Sequence, residues 1–167
     1  VPEHWHPGCV EIHCGVRNAL SFGFNGRVYR LGPGEVFVNL PGERHTVSEH
    51  PKGLILYWII VRLDAEGPSF LCQSPAESAA LRQALLGIPH RHFRGTESIK
   101  RLFQSLHLLV DEPATPLRTL RLRTITLELL MEVLAAARSH TVPADESRLD
   151  GLMREMRSRP EARPWSS

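Results

Sequence analysis

The sequence predicts an α+β protein in which short strands form a small β-sandwich or β-barrel and helices follow. Two observations support this prediction. Residues 1–63 hold apolar and polar side chains in rough alternation, interrupted by closely spaced turn signals, as in proteins built from several short strands. Residues 75–139 instead carry apolar side chains at intervals of three and four, which is the period of an amphipathic helix.

Turn signals divide the N-terminal part into strands. Asn25-Gly26 is the strongest of them, because this dipeptide favours the tight turn of a β-hairpin. Further breaks lie at Gly32-Pro33-Gly34 and Pro41-Gly42. The most apolar short run, GLILYWIIV at residues 53–61, is too short to span a bilayer, and we interpret it as a strand buried on both faces.

Three helices are predicted in the C-terminal part. The first carries Leu81 and Leu85 at helical spacing, and the second follows Thr96, whose side chain can cap its first turn. The apolar stripe of the second helix consists of Ile99, Leu102, Phe103, Leu106, Leu109 and Val110. The third helix is predicted to run from about Leu117 to Arg138.

The third predicted helix has two apolar faces. One face consists of Leu117, Leu120, Leu127, Met131 and Leu134. The other consists of Leu122, Ile125, Leu129 and Val133. Two such faces need two packing partners, because soluble monomers avoid large apolar patches in water. One partner can be the strand domain or the second helix. We expect the other to be a second copy that meets the face with Leu127 and Leu134, so the 117–138 helix is predicted to form a homodimer. The alternative is that a helix at 149–157 covers the second face within one chain.

The chain is therefore predicted to have three parts. Residues 1–74 form the strand domain, residues 75–139 the helical dimerisation region, and residues 140–167 a linker and connecting helix. Helical spacing in the last part is carried by Leu149, Leu152, Met153 and Met156. Because this helix runs out at Pro-Trp-Ser-Ser, we expect it to lead into a further element that is absent from this sequence.

Composition excludes several classes of protein. A net charge of +2 provides no bulk field for binding nucleic acid or a membrane surface. Three cysteines without paired spacing suggest no disulfide framework, so a reducing cytoplasm is the expected location. We find no signal peptide pattern, no phosphate loop, no nucleophile elbow and no catalytic triad order in the sequence.

A group of potential metal ligands stands at the start of the chain. His4 and His6 are two residues apart, so in a strand their side chains project from the same face. Pro7-Gly8 can turn the chain so that Glu11 comes round to the same cavity, and His45, just after a Pro-Gly turn, can supply a fourth ligand. Imidazole and carboxylate groups suit zinc, iron, nickel and manganese.

Other side chains are candidates for contacts with a small molecule. His13 has the same strand parity as Glu11, and Phe22, Phe24 and Tyr29 could form the apolar wall of a pocket. The alternative for these residues is an ordinary core role. Trp5 should point away from the two histidines beside it and pack under the helices. The pair His90-x-His92 is interpreted as loop surface, because no acidic or cysteine neighbour completes a site.

Two short motifs carry a family resemblance. His4-x-His6-x4-Glu11 resembles the first cupin motif, and Gly34-x6-Pro41-Gly42-x2-His45 resembles the second. The wider order HWHPxxxEIH…YRLGPGEVFVNLPGERHTV, followed by a helical half, resembles the N-terminal sensor domain of AraC-type transcription regulators.

In that family, a cupin barrel (a double-stranded β-helix) precedes dimerising helices, a linker and two helix-turn-helix units. The resemblance implies that His4, His6, Glu11 and His45 line the barrel and hold a metal where one is present. It also implies that DNA is contacted only through a C-terminal domain that is missing here.

We therefore expect an effector-sensing and dimerisation domain and not an enzyme. A small molecule, with or without a single zinc or nickel ion, would bind in the barrel and favour one arrangement of the dimer. The rival is a stand-alone metal-dependent cupin enzyme, such as a dioxygenase or an isomerase. Four filled ligand positions favour the rival, whereas the helical third of the chain and its tail count against it.

Overall fold

The computed structural model describes residues 3–47, 50–63, 71 and 73–139, and in this part the chain forms two antiparallel sheets and three helices. The strands are β1 (Cys9–Arg17), β2 (Leu20–Phe24), β3 (Arg27–Leu31), β4 (Glu35–Asn39), β5 (His45–Val47), β6 (Ile55–Arg62) and β7 (His92–Arg94). The helices are α1 (Pro75–Leu86), α2 (Glu97–Val110) and α3 (Pro116–Ser139). The predicted α+β class is confirmed, and the predicted linker at 140–167 lies outside the described residues.

The strands divide between a larger and a smaller sheet. The larger sheet has the order β6-β1-β4-β7, and the smaller has the order β3-β2-β5. An isolated antiparallel bridge between His4 and His45 adds the N-terminal arm, residues 3–8, to the outer edge of β5. The first histidines of the chain are thereby placed at the edge of the smaller sheet.

The turn between β2 and β3 has the geometry that its sequence favours. Asn25 and Gly26 have φ values of 49° and 71°, and Phe24 pairs directly with Arg27 across the turn. Positive φ at both central residues is typical of the type I′ turn, whose twist suits a two-residue hairpin. The predicted hairpin is confirmed.

The two sheets pack face to face through aromatic side chains. Phe22 on β2 stacks on Phe37 on β4 with ring centroids 5.1 Å apart, and the ring of Tyr29 on β3 lies 5.0 Å from that of Phe37. The buried apolar cluster of this inner layer comprises Leu20, Phe22, Phe24, Leu31, Phe37 and Val47. The space between the sheets is therefore filled with side chains around Phe37.

The outer face of the larger sheet packs against the helices. Val10, Ile12 and Cys14 of β1 alternate with inward-facing residues and belong to the main buried cluster with side chains of all three helices. On β6, the ring of Tyr57 stacks on that of Phe103 of α2 at 6.0 Å. Each central strand thus has one face toward the smaller sheet and one toward the helical layer.

Helices α1 and α2 begin at capping side chains. The hydroxyl of Thr96 accepts a hydrogen bond from the N–H of Ile99 at 3.2 Å, so the predicted cap of α2 is confirmed. Helix α1 begins with a capping box formed by Ser74 and Glu77. In the described part of the chain, no helix combines the length and apolar character needed to cross a membrane.

Helix α3 divides its apolar residues differently from the prediction. Leu129 and Val133 are fully buried, as expected for a core face. Leu134 is also buried, and Leu127 packs against the same cluster, although both were assigned to the dimer face. The large apolar residues of α3 that are exposed are Leu117, Leu120 and Met131. Any surface left for a second copy is therefore narrower than the predicted face.

Strand β6 is buried on one face only, so the prediction that both faces are buried is wrong. Ile59 and Val61 pack toward the helices, whereas Trp58 is 61% exposed and Ile60 is 44% exposed. Because β6 is the edge strand of the larger sheet, Trp58 and Ile60 lie beyond the cover of the smaller sheet within the described residues, whereas Leu56 on the same face packs against the inner cluster.

The segment around His92 is a strand and not the loop surface that we expected. Residues 92–94 form β7, in which His92 pairs with Phe37 of β4 and is 5% exposed. A three-residue strand is too short to show an alternating pattern, which is why the sequence did not reveal it.

Candidate metal and effector site

Three histidine rings meet where the N-terminal arm joins β5. The backbone N–H groups of His4 and His45 each donate to the other residue's carbonyl oxygen at 3.0 Å. The ring centroids of these two residues are 4.2 Å apart, and the ring of His6 lies 5.5 Å from that of His4. One ligand nitrogen from each ring lies within 4.8 Å of the other two.

Two glycine turns hold these segments together. The carbonyl oxygen of His6 accepts hydrogen bonds from the N–H groups of Cys9 and Gly42, both at 3.3 Å. Gly8 and Gly42 have φ values of 66° and 75°, a region that glycine enters without steric cost. The turn before β1 and the turn before β5 therefore meet at His6, so the histidines are held by backbone contacts.

Glu11 on β1 lies beside the histidine rings and is 5% exposed. Its Oε2 atom is 3.2 Å from Nε2 of His45, 3.3 Å from Nε2 of His13 and 3.8 Å from Nε2 of His6. Asn39 on β4 also donates to Oε2 from its Nδ2 atom at 3.3 Å. One carboxylate oxygen thus has four nitrogen neighbours. We call His4, His6, Glu11 and His45 the His–Glu cluster.

Glu11 and His45 shift each other's pKa. Burial acts to raise the pKa of Glu11, but the imidazoles of His13 and His45 outweigh it and hold the pKa well below its usual range. Burial acts to lower the pKa of His45, but the Glu11 carboxylate and the carbonyl of Glu43 outweigh it and raise the pKa. Without a metal ion, the cluster therefore favours a carboxylate beside a protonated imidazole.

The ring of His45 is oriented by a backbone carbonyl. Its Nδ1 lies 3.2 Å from the carbonyl oxygen of Glu43, which can only accept, so Nδ1 carries a hydrogen. Its Nε2 is buried and lies 3.2 Å from Oε2 of Glu11. The two groups are not aligned for a hydrogen bond, and no other described residue provides one to this nitrogen. A buried ring nitrogen of this kind is one that a metal ion or a polar ligand could satisfy.

The side chains present fit a transition-metal ion. Three imidazoles and one carboxylate are the ligand types that zinc and nickel accept. The compact part of the cluster is the triad of His4, His6 and His45, and Glu11 stands at its inner side. The four residues that the sequence singled out are thus brought together, and whether they bind a metal stays a prediction.

The predicted effector contacts lie behind the His–Glu cluster. The ring of His13 is 4.6 Å from that of Phe22, and Phe22 and Phe24 are buried between the sheets. Tyr29 is half-buried, and its ring is 6.3 Å from that of Phe24. These positions suit both a pocket wall and a core, so their contact with an effector stays a prediction.

Trp5 does not pack under the helices, so that prediction is wrong. It is 44% exposed, and the guanidinium carbon of Arg44 lies 4.3 Å from the centroid of its ring. The reason is topological: the N-terminal arm extends the smaller sheet, whereas the helices cover the far side of the larger sheet.

Three residues near the cluster were not predicted from the sequence. Asn39 pairs with Glu11 across β1 and β4, and on the other side of β1 Trp58 pairs with His13 and Ile60 with Glu11. Directly paired residues project from the same face of a sheet. Trp58 and Ile60 therefore form an exposed apolar edge beside the polar cluster. Only the strand register reveals this neighbourhood.

A second buried polar pair lies on the other side of Phe37. Nε2 of His92 is 3.0 Å from Oε2 of Glu35, and this oxygen also accepts the N–H of Gly32 at 2.8 Å. Burial lowers the pKa of His92 in spite of the nearby carboxylate. The pair ties β7 to the turn between β3 and β4.

The chain is similar to a known protein family and to solved structures. No curated protein matches the chain significantly. Among solved structures, the crystal structure of the AraC-like transcriptional activator CuxR is similar, with 14% sequence identity and a TM-score of 0.46. The match covers 90% of this chain and 51% of that chain, so this chain spans about half the length of CuxR in that structure. Residues 1–130 match the AraC-like ligand binding domain family, and because this match covers most of the sequence, the chain belongs to that family.

Proposed function

We propose that the chain is the effector-sensing and dimerisation domain of an AraC-type transcription regulator. Its effector site would be the His–Glu cluster, at one edge of a cupin-like barrel formed by the two sheets. The observation that supports this best is the buried Glu11 carboxylate with ring nitrogens of three histidines around one oxygen. Family membership supports the sensing role. DNA would be contacted through a domain outside this sequence.

A single zinc or nickel ion is proposed as part of the site. His4, His6 and His45 would supply ring nitrogens and Glu11 a carboxylate oxygen, and the ion would supply a positive centre for an anionic or polar effector. If no metal binds, the same groups can hydrogen-bond a polar effector directly.

The shape of the site suggests the character of the effector. Its polar end would face the His–Glu cluster, and a flat or apolar part would lie along Trp58 and Ile60, which are exposed on the inward side of β6. Aromatic and apolar side chains combined with a few polar groups are typical of small-molecule sites.

Metal content is the first test. Protein made without an affinity tag for metals should contain one zinc or nickel ion per chain by elemental analysis. His6→Ala should abolish this content, because His6 supplies one of three ring nitrogens. His90→Ala is the matched control, because His90 is exposed and lies outside the cluster. An apo wild type whose melting temperature responds to neither zinc nor EDTA contradicts the metal proposal.

Effector binding is tested by thermal shift with a panel of small carboxylates, sugars and aromatic acids. A compound at 100 times its Kd should stabilise the fold by about 2.7 kcal/mol. Trp58→Ala should weaken the binding of such a compound and leave the metal content unchanged. Equal binding to wild type and Trp58→Ala would place the effector elsewhere.

A metal-dependent enzyme remains the second candidate function, because three histidines and a carboxylate can also serve catalysis. The full gene separates the two proposals. About a hundred further residues with two helix-turn-helix patterns after Ser167 would favour the regulator. A stop codon directly after Ser167, with turnover of a small substrate by the metal-loaded protein, would favour the enzyme.

A further inference from the structure

We propose that Glu43 and Arg91 are positioning residues that fix the ring of His45 for ligand binding. The proposal rests on the proposed function only in treating His45 as a ligand. Neither residue belongs to the His–Glu cluster, and both act through the turn between β4 and β5.

Glu43 closes that turn on itself. Its N–H donates to the carbonyl oxygen of Leu40 at 3.2 Å, and its Oε2 accepts the N–H of Leu40 at 2.6 Å. The remaining carboxylate oxygen, Oε1, accepts from Nη2 of Arg91 at 2.9 Å. Both oxygens are therefore engaged, which fixes the side chain and the backbone of residue 43 together.

The backbone of Glu43 then selects the tautomer and the ring orientation of His45. The carbonyl oxygen of Glu43 receives the Nδ1–H of His45 at 3.2 Å. In a neutral imidazole, a hydrogen on Nδ1 leaves the lone pair on Nε2, which is the atom that faces Glu11. A second hydrogen bond that selects the tautomer and orientation of a histidine is a usual requirement of a metal site.

Arg91 connects this turn to a remote part of the chain. It lies just before β7, and its own carbonyl oxygen accepts the N–H of Val38 on β4 at 2.9 Å. Its side chain is 23% exposed and that of Glu43 is 21% exposed, so water screens their attraction less than at the surface. Arg91 is thus held by its backbone hydrogen bond with Val38, and Glu43 is held by its hydrogen bonds with Leu40.

The test compares zinc affinity in Arg91→Met, Glu43→Gln and the wild type, measured by competition with a chelating dye. Both variants should bind zinc about 10-fold to 100-fold more weakly, as for other residues that orient metal ligands. Arg91→Lys should recover part of the loss. Arg121→Met is the matched control, because Arg121 pairs with Glu112 at 3.1 Å on the exposed helical side; its zinc affinity should not change.

Ring nitrogen NMR of metal-free protein gives a second readout. At a pH above the raised folded pKa of His45, where its ring is neutral, the wild type should show one tautomer with hydrogen on Nδ1, and Arg91→Met should show a mixture. Wild-type zinc affinity together with an unchanged tautomer in Arg91→Met would overturn the proposal. If the wild type itself binds no zinc, the metal proposal fails, and the tautomer measurement alone decides the positioning role. If Arg91→Met does not fold, Glu43→Gln provides both measurements.

Discussion

At the scale of single residues, the site depends on how one carboxylate oxygen is shared. Oε2 of Glu11 faces nitrogens of His6, His13 and His45 and the amide of Asn39. A buried carboxylate is costly unless it is paired, so a proton or a metal ion must supply compensating positive charge. These two forms of the site should respond to pH in opposite ways.

In the metal-free form, pairing of Glu11 with His45 should stabilise the fold most in mildly acidic solution. Glu11 has a lowered pKa in the fold, so it stabilises the fold at pH values above its ordinary pKa of 4.5. This contribution is lost as pH falls through the lower folded pKa. His45 has a raised pKa in the fold, so it stabilises the fold at pH values below its ordinary pKa of 6.5. This contribution is lost as pH rises through the folded pKa. His92, whose pKa is lowered by burial, acts in the opposite direction below pH 6.5. The melting temperature of apo wild type minus that of apo Glu11→Gln should therefore be larger at pH 6 than at pH 8.5.

Zinc-saturated protein should show the reverse trend, because metal binding requires deprotonated imidazoles. Glu11→Gln is the reference variant for the apo form, since it removes the carboxylate that raises the pKa of His45 and leaves His92 and Glu35 in place. Calorimetric scans at both pH values provide the measurement. A difference between wild type and Glu11→Gln that grows from pH 6 to pH 8.5 contradicts the expected pairing.

The members of the His–Glu cluster could be predicted because strand parity and turn residues are local features. Asn39 and Trp58 could not, since their place beside Glu11 and His13 depends on how β1 pairs with β4 and β6. The pairing register of strands that are far apart in sequence depends on how complete sheet faces pack against each other. The sequence of one strand does not reveal that packing.

At the scale of elements, two glycines are required for different reasons: one for its backbone conformation and one for a close approach of two backbone segments. Gly26 occupies a hairpin turn with φ of 71°, and a Cβ there would meet no atom within 4 Å. Gly15 on β1 has no such backbone conformation, but a Cβ there would lie 2.2 Å from the carbonyl oxygen of Gly32. The N–H of Gly34 donates to the carbonyl of Gly15 at 2.8 Å, which holds the two segments close.

Gly15→Ala should therefore destabilise the fold more than Gly26→Ala. The first introduces a clash with backbone that cannot move freely, at a cost of about 3 kcal/mol. The second imposes only a positive φ on alanine, at about 1 kcal/mol. Urea unfolding of both variants measures the difference. A larger loss for Gly26→Ala would mean that β1 can move away from the turn between β3 and β4.

The elements with strong local signals were predicted well. The Asn25-Gly26 hairpin and the Thr96 cap of α2 follow from the chemistry of a few adjacent residues. Strand β7 was missed because its three residues hold no period, and the burial of β6 was misjudged because an edge position depends on the complete sheet order. Local patterns thus predict that an element exists better than they predict its neighbours.

At the scale of the whole molecule, β1 separates the site from the helices. Glu11 and His13 project toward the smaller sheet, whereas Ile12 and Cys14 project toward the helical layer. A change at the site can therefore reach the helices across the thickness of one sheet. The helical layer is also where a second copy of the chain is proposed to bind.

The proposed dimer surface consists of the exposed apolar residues of α3. Leu117, Leu120 and Met131 are 67%, 54% and 56% exposed, and helical spacing places them on one stripe. Leu108 and Val110, at the end of α2, are also exposed, and Arg118 holds that end by donating to the carbonyl oxygen of Leu109 at 2.6 Å. A two-fold axis would let this stripe pack against its own copy and remove it from water.

Light scattering on Leu120→Glu with Met131→Glu tests the dimer surface, because both side chains lie in solvent in the single chain. This double variant should be a folded monomer with a nearly unchanged melting temperature. Leu129→Glu with Leu134→Glu is the contrasting pair: both residues are buried in the main cluster, so it should unfold the protein at any concentration. A wild type that stays monomeric at high micromolar concentration ends the proposal.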